Sequence, residues 1–188
     1  PAYSYTDDWD GWVDRIDDPA METTFGTRYI FAHMEMSELS FATRVDWTFT
    51  PRLTLQAYLQ PLFAVARYDE FKEFARPHTY DFDLYGIDNE SSIDFDAEEG
   101  AYTIDADGPG PAAPFTLSDP DFNFKSLKVN LVLRWEFRPG STAYLVWTQN
   151  RNDERDPGDF DFGRDARSLL DAAGEDILMA KVTTWLDL

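Results

Sequence analysis

From Leu127 the chain alternates without a break, with Leu127, Val129, Leu131, Leu133, Trp135 and Phe137 on one side and Lys128, Asn130, Val132, Arg134 and Glu136 on the other. A helix places like-facing neighbours three and four residues apart, so a period of two predicts a strand. Leu39, Phe41, Thr43, Val45, Trp47 and Phe49 alternate in the same way with Ser40, Ala42, Arg44, Asp46 and Thr48. Leu53, Leu55, Ala57 and Leu59 alternate with Thr54, Gln56, Tyr58 and Gln60. Strands are expected near 28–36, where the alternation is weaker and an ordered loop is the alternative, and near 38–50, 53–66, 126–138, 142–150 and 177–187. The last of these sets Leu178, Ala180, Val182, Thr184, Leu186 and Leu188 on one side.

Thr50-Pro51-Arg52 and Arg138-Pro139-Gly140-Ser141 read as tight turns, with proline pre-setting φ and Gly140 free to take positive φ. Between the hairpins lie long connections at 69–125 and 151–176. Glycine, proline and aspartate gather in them, as in Asp105-Ala106-Asp107-Gly108-Pro109-Gly110-Pro111 and Asp156-Pro157-Gly158. A short helix is expected over 165–174, with Asp165 as its cap and Gly174 at its end. The fold class is therefore all-β and antiparallel, with long acidic loops and one short helix.

Charge sharpens this division. The 188 residues hold 36 acids and 16 bases, a net charge of −20. Segments 1–27, 69–125 and 151–176 carry 31 of the acids and 8 of the bases, leaving 5 acids and 8 bases for the alternating segments. Such an acid excess repels phosphate backbones and excludes nucleic acid as a partner. No cysteine is present, so disulfides, thiolate metal sites and thiol nucleophiles are excluded. No apolar run approaches the roughly 20 residues of a spanning helix. The chain opens at Pro1 without a leader and is expected to be a piece of something longer.

Two environments accept an alternating apolar face: the core of a soluble sandwich, or lipid. The strands exceed the usual soluble length of about 5–6 residues. Trp47 and Phe49, and again Trp135 and Phe137, fall just before the two short turns, as an interfacial girdle would. Short turns at one end and long loops at the other complete the asymmetry of an outer-membrane barrel. The reading is the C-terminal portion of an outer-membrane-type β-barrel, in the bacterial outer membrane at the cell surface. More strands must come from the remainder of the same protein or from other copies, because an open edge in hydrocarbon leaves backbone groups unpaired.

Thr24 to Ala32, Arg44 to Tyr58, Asn130 to Ser141 and Tyr144 to Gln149 resemble a bacterial domain of unknown function, the run RWEFRPGS at Arg134 to Ser141 being the most specific mark. That domain forms the C-terminal part of longer, signal-bearing proteins, behind a module similar to carbohydrate-binding family 9. The resemblance implies an outer-membrane β-barrel-like domain and brings no catalytic residues. Outer-membrane barrels commonly end in an aromatic, whereas this chain ends in Leu188, with Trp185 as the stand-in.

Candidate chemistry is sparse. His33 and His78 sit in no HExxH arrangement, and no GxSxG elbow occurs. Asp-Phe-Asp recurs at Asp81-Phe82-Asp83, Asp94-Phe95-Asp96 and Asp159-Phe160-Asp161. In extended chain such a pair presents oxygens on one side, about 6.6 Å apart, which suits Ca2+. Asp81, Asp83, Asp94, Asp96, Asp105 and Asp107 are the candidate metal ligands, solvated loop acids being the alternative. Arg44, Tyr58, Arg134 and Trp147 are the candidate ligand-binding residues, since aromatics such as Tyr58, Tyr144 and Trp147 can stack on sugar rings, with girdle or packing roles as the alternative. Arg44, Asp46, Arg134 and Glu136 are expected to form a charge network on the inner face. The function expected is a non-enzymatic barrel segment that contacts outer-membrane lipid and binds or passes a carbohydrate-like glycan ligand. The alternatives are a carboxylate-based hydrolase with its site in 69–125, and a self-assembling structural or filament protein.

Overall fold

Alternation becomes strand along most of the chain in the computed structural model, which describes residues 1–76, 78–155 and 157–185. The strands are β1 (Ala2–Asp17), β2 (Thr27–Ser40), β3 (Thr43–Thr50), β4 (Leu53–Phe74), β5 (Phe82–Leu84), β6 (Ser92–Asp96), β7 (Ala101–Asp105), β8 (Phe115–Ser118), β9 (Phe122–Arg138), β10 (Ser141–Asp153) and β11 (Gly174–Thr183). One helix, α1 (Phe162–Asp171), and a 3-10 turn, Glu22–Thr24, complete the elements. The molecule is thus mostly antiparallel β with one short helix. The long strands are hydrogen-bonded in the order β1-β2-β4-β9-β10-β11, with β3 and β5 each paired to β4, while β6-β7-β8 form a separate sheet. No strand among the described residues joins β1 to β11, so the described strands form no closed barrel.

Several elements differ from the sequence reading. The segment expected as one strand over 38–50 breaks at Phe41 and Ala42. Pro61 has no N–H to give the ladder, and its carbonyl takes the Phe41 N–H at 3.1 Å where the break falls. The acidic stretch at the N-terminus, for which the alternation predicts no strand, is strand β1, and its acids find partners: Asp7 on His33 and Asp10 on Lys72. The 69–125 connection contains β5 to β8. The α1 helix starts at Phe162 because Asp161, not Asp165, is its cap. The Asp161 carboxylate accepts the Arg164 N–H at 2.9 Å, and Asp165 reaches back to the Asp161 N–H at 3.0 Å. The expected positions Leu186 and Leu188 lie outside the described residues, as does Asp156.

The chain divides into two units. Unit 1 comprises Pro1–Tyr5, Ser37–Val65 and Phe122–Leu188, and unit 2 comprises Thr6–Met36 and Ala66–Asp121. Unit 2 has a conventional core: Ile30, Ala32, Phe71, Tyr85, Ile104, Ala106 and Leu117 are all buried together. In the register of β6-β7-β8, Phe95 faces Tyr102 and Ile93 faces Ile104, so one side of this small sheet is apolar and closes over that cluster. An aromatic series adds to it: Phe31 packs edge-on to both Phe74 and Phe82, and those two stack at 5.1 Å.

Unit 1 is built differently. No apolar side chain of β3, β9, β10 or β11 is buried. A cluster of buried polar groups lies beside the 154–173 connection. Lys125, fully buried, pairs with Asp153 at 3.2 Å and donates to Asn123 Oδ1 at 3.0 Å. The Asn123 amide donates in turn to Asp165 at 3.1 Å and to the Pro157 carbonyl at 3.0 Å. The helix adds Leu169, 2% exposed, and Phe63 packs edge-on to Phe162.

Candidate functional site

Antiparallel register assigns the two faces of unit 1. Leu133 opposes Leu145, which opposes Ala180; Leu131 opposes Trp147, which opposes Leu178; Trp135 opposes Ala143, which opposes Val182. Cross-strand partners share a face, so these side chains form one continuous apolar surface. Val45 against Ala57 and Trp47 against Leu55 show the same kind of pairing in the β3-β4 hairpin. This surface is bare: Trp47 is 60% exposed, Trp135 53% and Leu178 68%. Leu131 and Leu133 are half-buried.

Its aromatic margin is ordered by the turns. The Glu136 N–H donates to the Arg52 carbonyl at 2.7 Å, which places the Thr50–Leu53 and Arg138–Ser141 turns side by side. Trp47 stacks on Phe49 at 5.4 Å, and Trp135 lies 5.8 Å from Phe137, so both pairs sit at this end of the sheet. Trp185 joins them through its backbone N–H, which donates to Ser141 Oγ at 3.1 Å. Gly140, at φ 75°, has the Trp185 Cβ where its own Cβ would be crowded at 3.0 Å.

The opposite face is polar. Arg44 opposes Tyr58 and Asp46 opposes Gln56. These four, with Asn130 and Val132 of β9, line a recess of about 290 Å3. The Arg44 guanidinium lies 5.7 Å from the Tyr58 ring centre, a cation–π distance, and the Tyr58 hydroxyl donates to Gln60 at 3.1 Å. Arg134, opposite Tyr144, sits 3.7 Å from Glu136 on this same face. The recess presents guanidinium, carboxylate, amide and phenol groups.

Three of the four expected ligand residues, Arg44, Tyr58 and Arg134, therefore share a face. Trp147 does not. It lies on the apolar face between Leu131 and Leu178, its indole N–H donating to Asp176 at 2.8 Å. Of the four residues expected as a network, Arg134 pairs with Glu136, while Arg44 and Asp46 both line the recess.

The expected metal ligands are dispersed. Asp81 pairs with Arg76, and Asp83 opposes Glu73 in the β4-β5 register. Asp96 accepts the Glu98 N–H at 2.8 Å, and Asp94 opposes Thr103. Asp105 opposes Ser92, while Asp107 accepts the Ala112 N–H at 3.1 Å. Among the described residues no three acid or histidine groups converge as metal ligands. The third Asp-Phe-Asp run serves the helix: Asp159 pairs with Arg164 at 3.1 Å and Asp161 caps α1.

Two charged clusters of unit 2 had no signal in spacing. Arg28, 3% exposed, is held between Asp18 at 2.6 Å and Glu73. Burial pushes Glu73 up, against the pull of the Arg28 guanidinium. His33 bridges Asp7 and Asp69, each at 2.8 Å, and stacks on Trp9 at 4.3 Å. The Asp7 and Asp69 hydrogen bonds hold the His33 imidazole above its usual range. Three of these pairs, Asp7–His33, His33–Asp69 and Arg28–Glu73, join residues 26, 36 and 45 positions apart, so only the folded chain brings them together.

Comparison with curated proteins and with solved structures finds no match. A family model does match, over residues 2–188, nearly the whole chain. The chain belongs to the family described as Domain of unknown function (DUF5916).

Proposed function

We propose that unit 1 is a wall segment of an outer-membrane β-barrel at the bacterial cell surface, non-enzymatic, with lipid against its apolar face. Its polar face lines a hydrated interior that binds or passes carbohydrate-like ligands at the Arg44-Tyr58 recess. The observation that carries this reading is the bare apolar surface of β3, β9, β10 and β11. A sheet in water would bury that face, since each large apolar side chain gains roughly 1.5–3 kcal/mol on leaving water. Aromatics at the turn end and polar groups on the reverse face are the further marks of a lipid-facing wall. The proposal assigns lipid contact to unit 1 alone.

The test is tryptophan quenching by brominated phospholipids. Trp47, Trp135 and Trp185 should be quenched most by bromines near the headgroups and Trp147 by deeper ones. A monodisperse protein in plain buffer with unquenched tryptophans refutes the wall. Self-assembly through strand edges is the second reading, favoured by the two ends of the strand order, β1 and β11, which have no partner strand on one side among the described residues. Concentration-dependent polymers in sedimentation without detergent would select it.

A further inference from the structure

Unit 2 contains a cleft of about 470 Å3, within the range of small-molecule sites. Its walls combine two kinds of group. Phe95, Tyr102 and Phe71 run ring to ring, each step 4.7 Å between centres and tilted by 44° and 50°. Phe95, at the open end, is 49% exposed. Around these rings stand the carboxylates of Asp69, Asp119, Asp121 and Glu70, against the single guanidinium of Arg67. Tyr85, 6% exposed, also lines the cleft, with its hydroxyl beside Glu73 and Arg28.

We propose that this cleft binds an organic cation, an alkylammonium whose charge sits over the aromatic faces and among the carboxylates. Ring faces carry negative quadrupole density and attract a cation most strongly when it is partly desolvated. The four carboxylates outnumber the Arg67 guanidinium and the His33 ring that pairs with Asp69, and so add a negative field. Burial pushes Asp121 up and the neighbouring Asp119 and Asp69 charges push it further, while the Tyr68 N–H at 2.7 Å pulls it down. A bare metal ion is the poorer guest, because no three acid or histidine groups among the described residues converge on one point. A charge spread over methyl or methylene groups fits acids that are spaced out with rings between them. A neutral sugar would stack on the rings and leave the field unanswered. The inference is independent of the lipid-facing wall.

The experiment is isothermal titration of the full chain, in the buffer or detergent that keeps it folded, with choline and with its uncharged carbon isostere 3,3-dimethylbutan-1-ol. Choline is expected to bind saturably, with the isostere weaker by about tenfold or more. Asp119→Asn together with Asp121→Asn keeps the oxygens that accept the Asp121 and Tyr68 N–H groups. It removes two charges and should weaken choline by at least about tenfold. Phe95→Ala, at a half-exposed position, should weaken it with the fold intact by circular dichroism. Asp171→Asn, which removes a charge from α1, should leave it unchanged. Absence of choline binding, equal binding of choline and isostere, or binding of neutral cellohexaose in place of choline each overturns the proposal.

Discussion

Replacing Leu178 with lysine separates lipid from water at one position. Leu178 sits mid-strand in β11, opposite Trp147 and 68% exposed. In water only the covered third of the side chain has anything to lose. With roughly 1.5–3 kcal/mol for complete burial of a leucine, that amounts to about 0.5–1 kcal/mol. The lysine stem recovers part of it by lying along Trp147 with its ammonium in solvent. In a bilayer the same ammonium meets hydrocarbon, where a lysine on the lipid face of a barrel costs about 2–4 kcal/mol near the midplane. The assay is urea unfolding of the wild type and Leu178→Lys, in phospholipid vesicles and in lipid-free buffer, read by tryptophan emission. A loss of about 2 kcal/mol or more in vesicles is expected. If the protein unfolds cooperatively in both media and the substitution costs less than about 1 kcal/mol in each, the lipid-facing reasoning is refuted. Thr148→Lys on the polar face, in the same β10-β11 region, serves as the control and should be tolerated in vesicles.

Three further outcomes follow from buried groups and backbone. Lys125→Met leaves the Asp153 carboxylate, 6% exposed, without its ammonium and should cost about 3–5 kcal/mol in denaturant unfolding; a loss under about 1 kcal/mol would show that Arg155 alone suffices. His33 titrates above its usual range when folded, so the stability it contributes is complete below about pH 6.5 and disappears as pH rises through the folded value. The unfolding midpoint should fall over that window, and His33→Gln should remove that part of the slope; an unchanged slope contradicts the assignment. Gly108→Ala puts a Cβ 2.6 Å from the Glu90 carbonyl oxygen at a residue with φ 55°, and thermal denaturation should register a loss of more than about 1 kcal/mol.

The strands of unit 1 were legible because one physical rule dominates them. Where one face is apolar and the other polar, period two survives in the residues, as from Leu127 to Phe137. Proline and glycine at the turns mark where the chain reverses. Unit 2 obscures the rule. In β4 the neighbours Phe71, Lys72 and Glu73 are all buried, because Lys72 reaches Asp10 and the Trp9 carbonyl and Glu73 reaches Arg28, so polarity there says nothing about direction. Strands β6 and β7 are five residues each and rich in aspartate, a residue depleted from strands, and they read as loop. Arg44 and Tyr58, two of the expected ligand residues, line the polar recess, and Arg134 lies on the same face. Trp147 was misplaced because an indole suits either face, and only its register opposite Leu131 decides. The acid-aromatic cleft was invisible, since Asp69 and Asp121 lie far apart in the chain and meet only through the Tyr68 N–H and its neighbours.

The order of segments along the chain sets a sequence of events during synthesis. Unit 2 has all its parts once Asp121 has left the ribosome, whereas unit 1 waits for β9, β10 and β11. Domains close as their last segment emerges. For the intervening residues β3 and the first half of β4 trail as a greasy hairpin with no β9 beside it. A nascent chain arrested near residue 121 would therefore carry a finished acidic module and an adhesive remnant, and holding that remnant apart from its neighbours becomes the work of a chaperone.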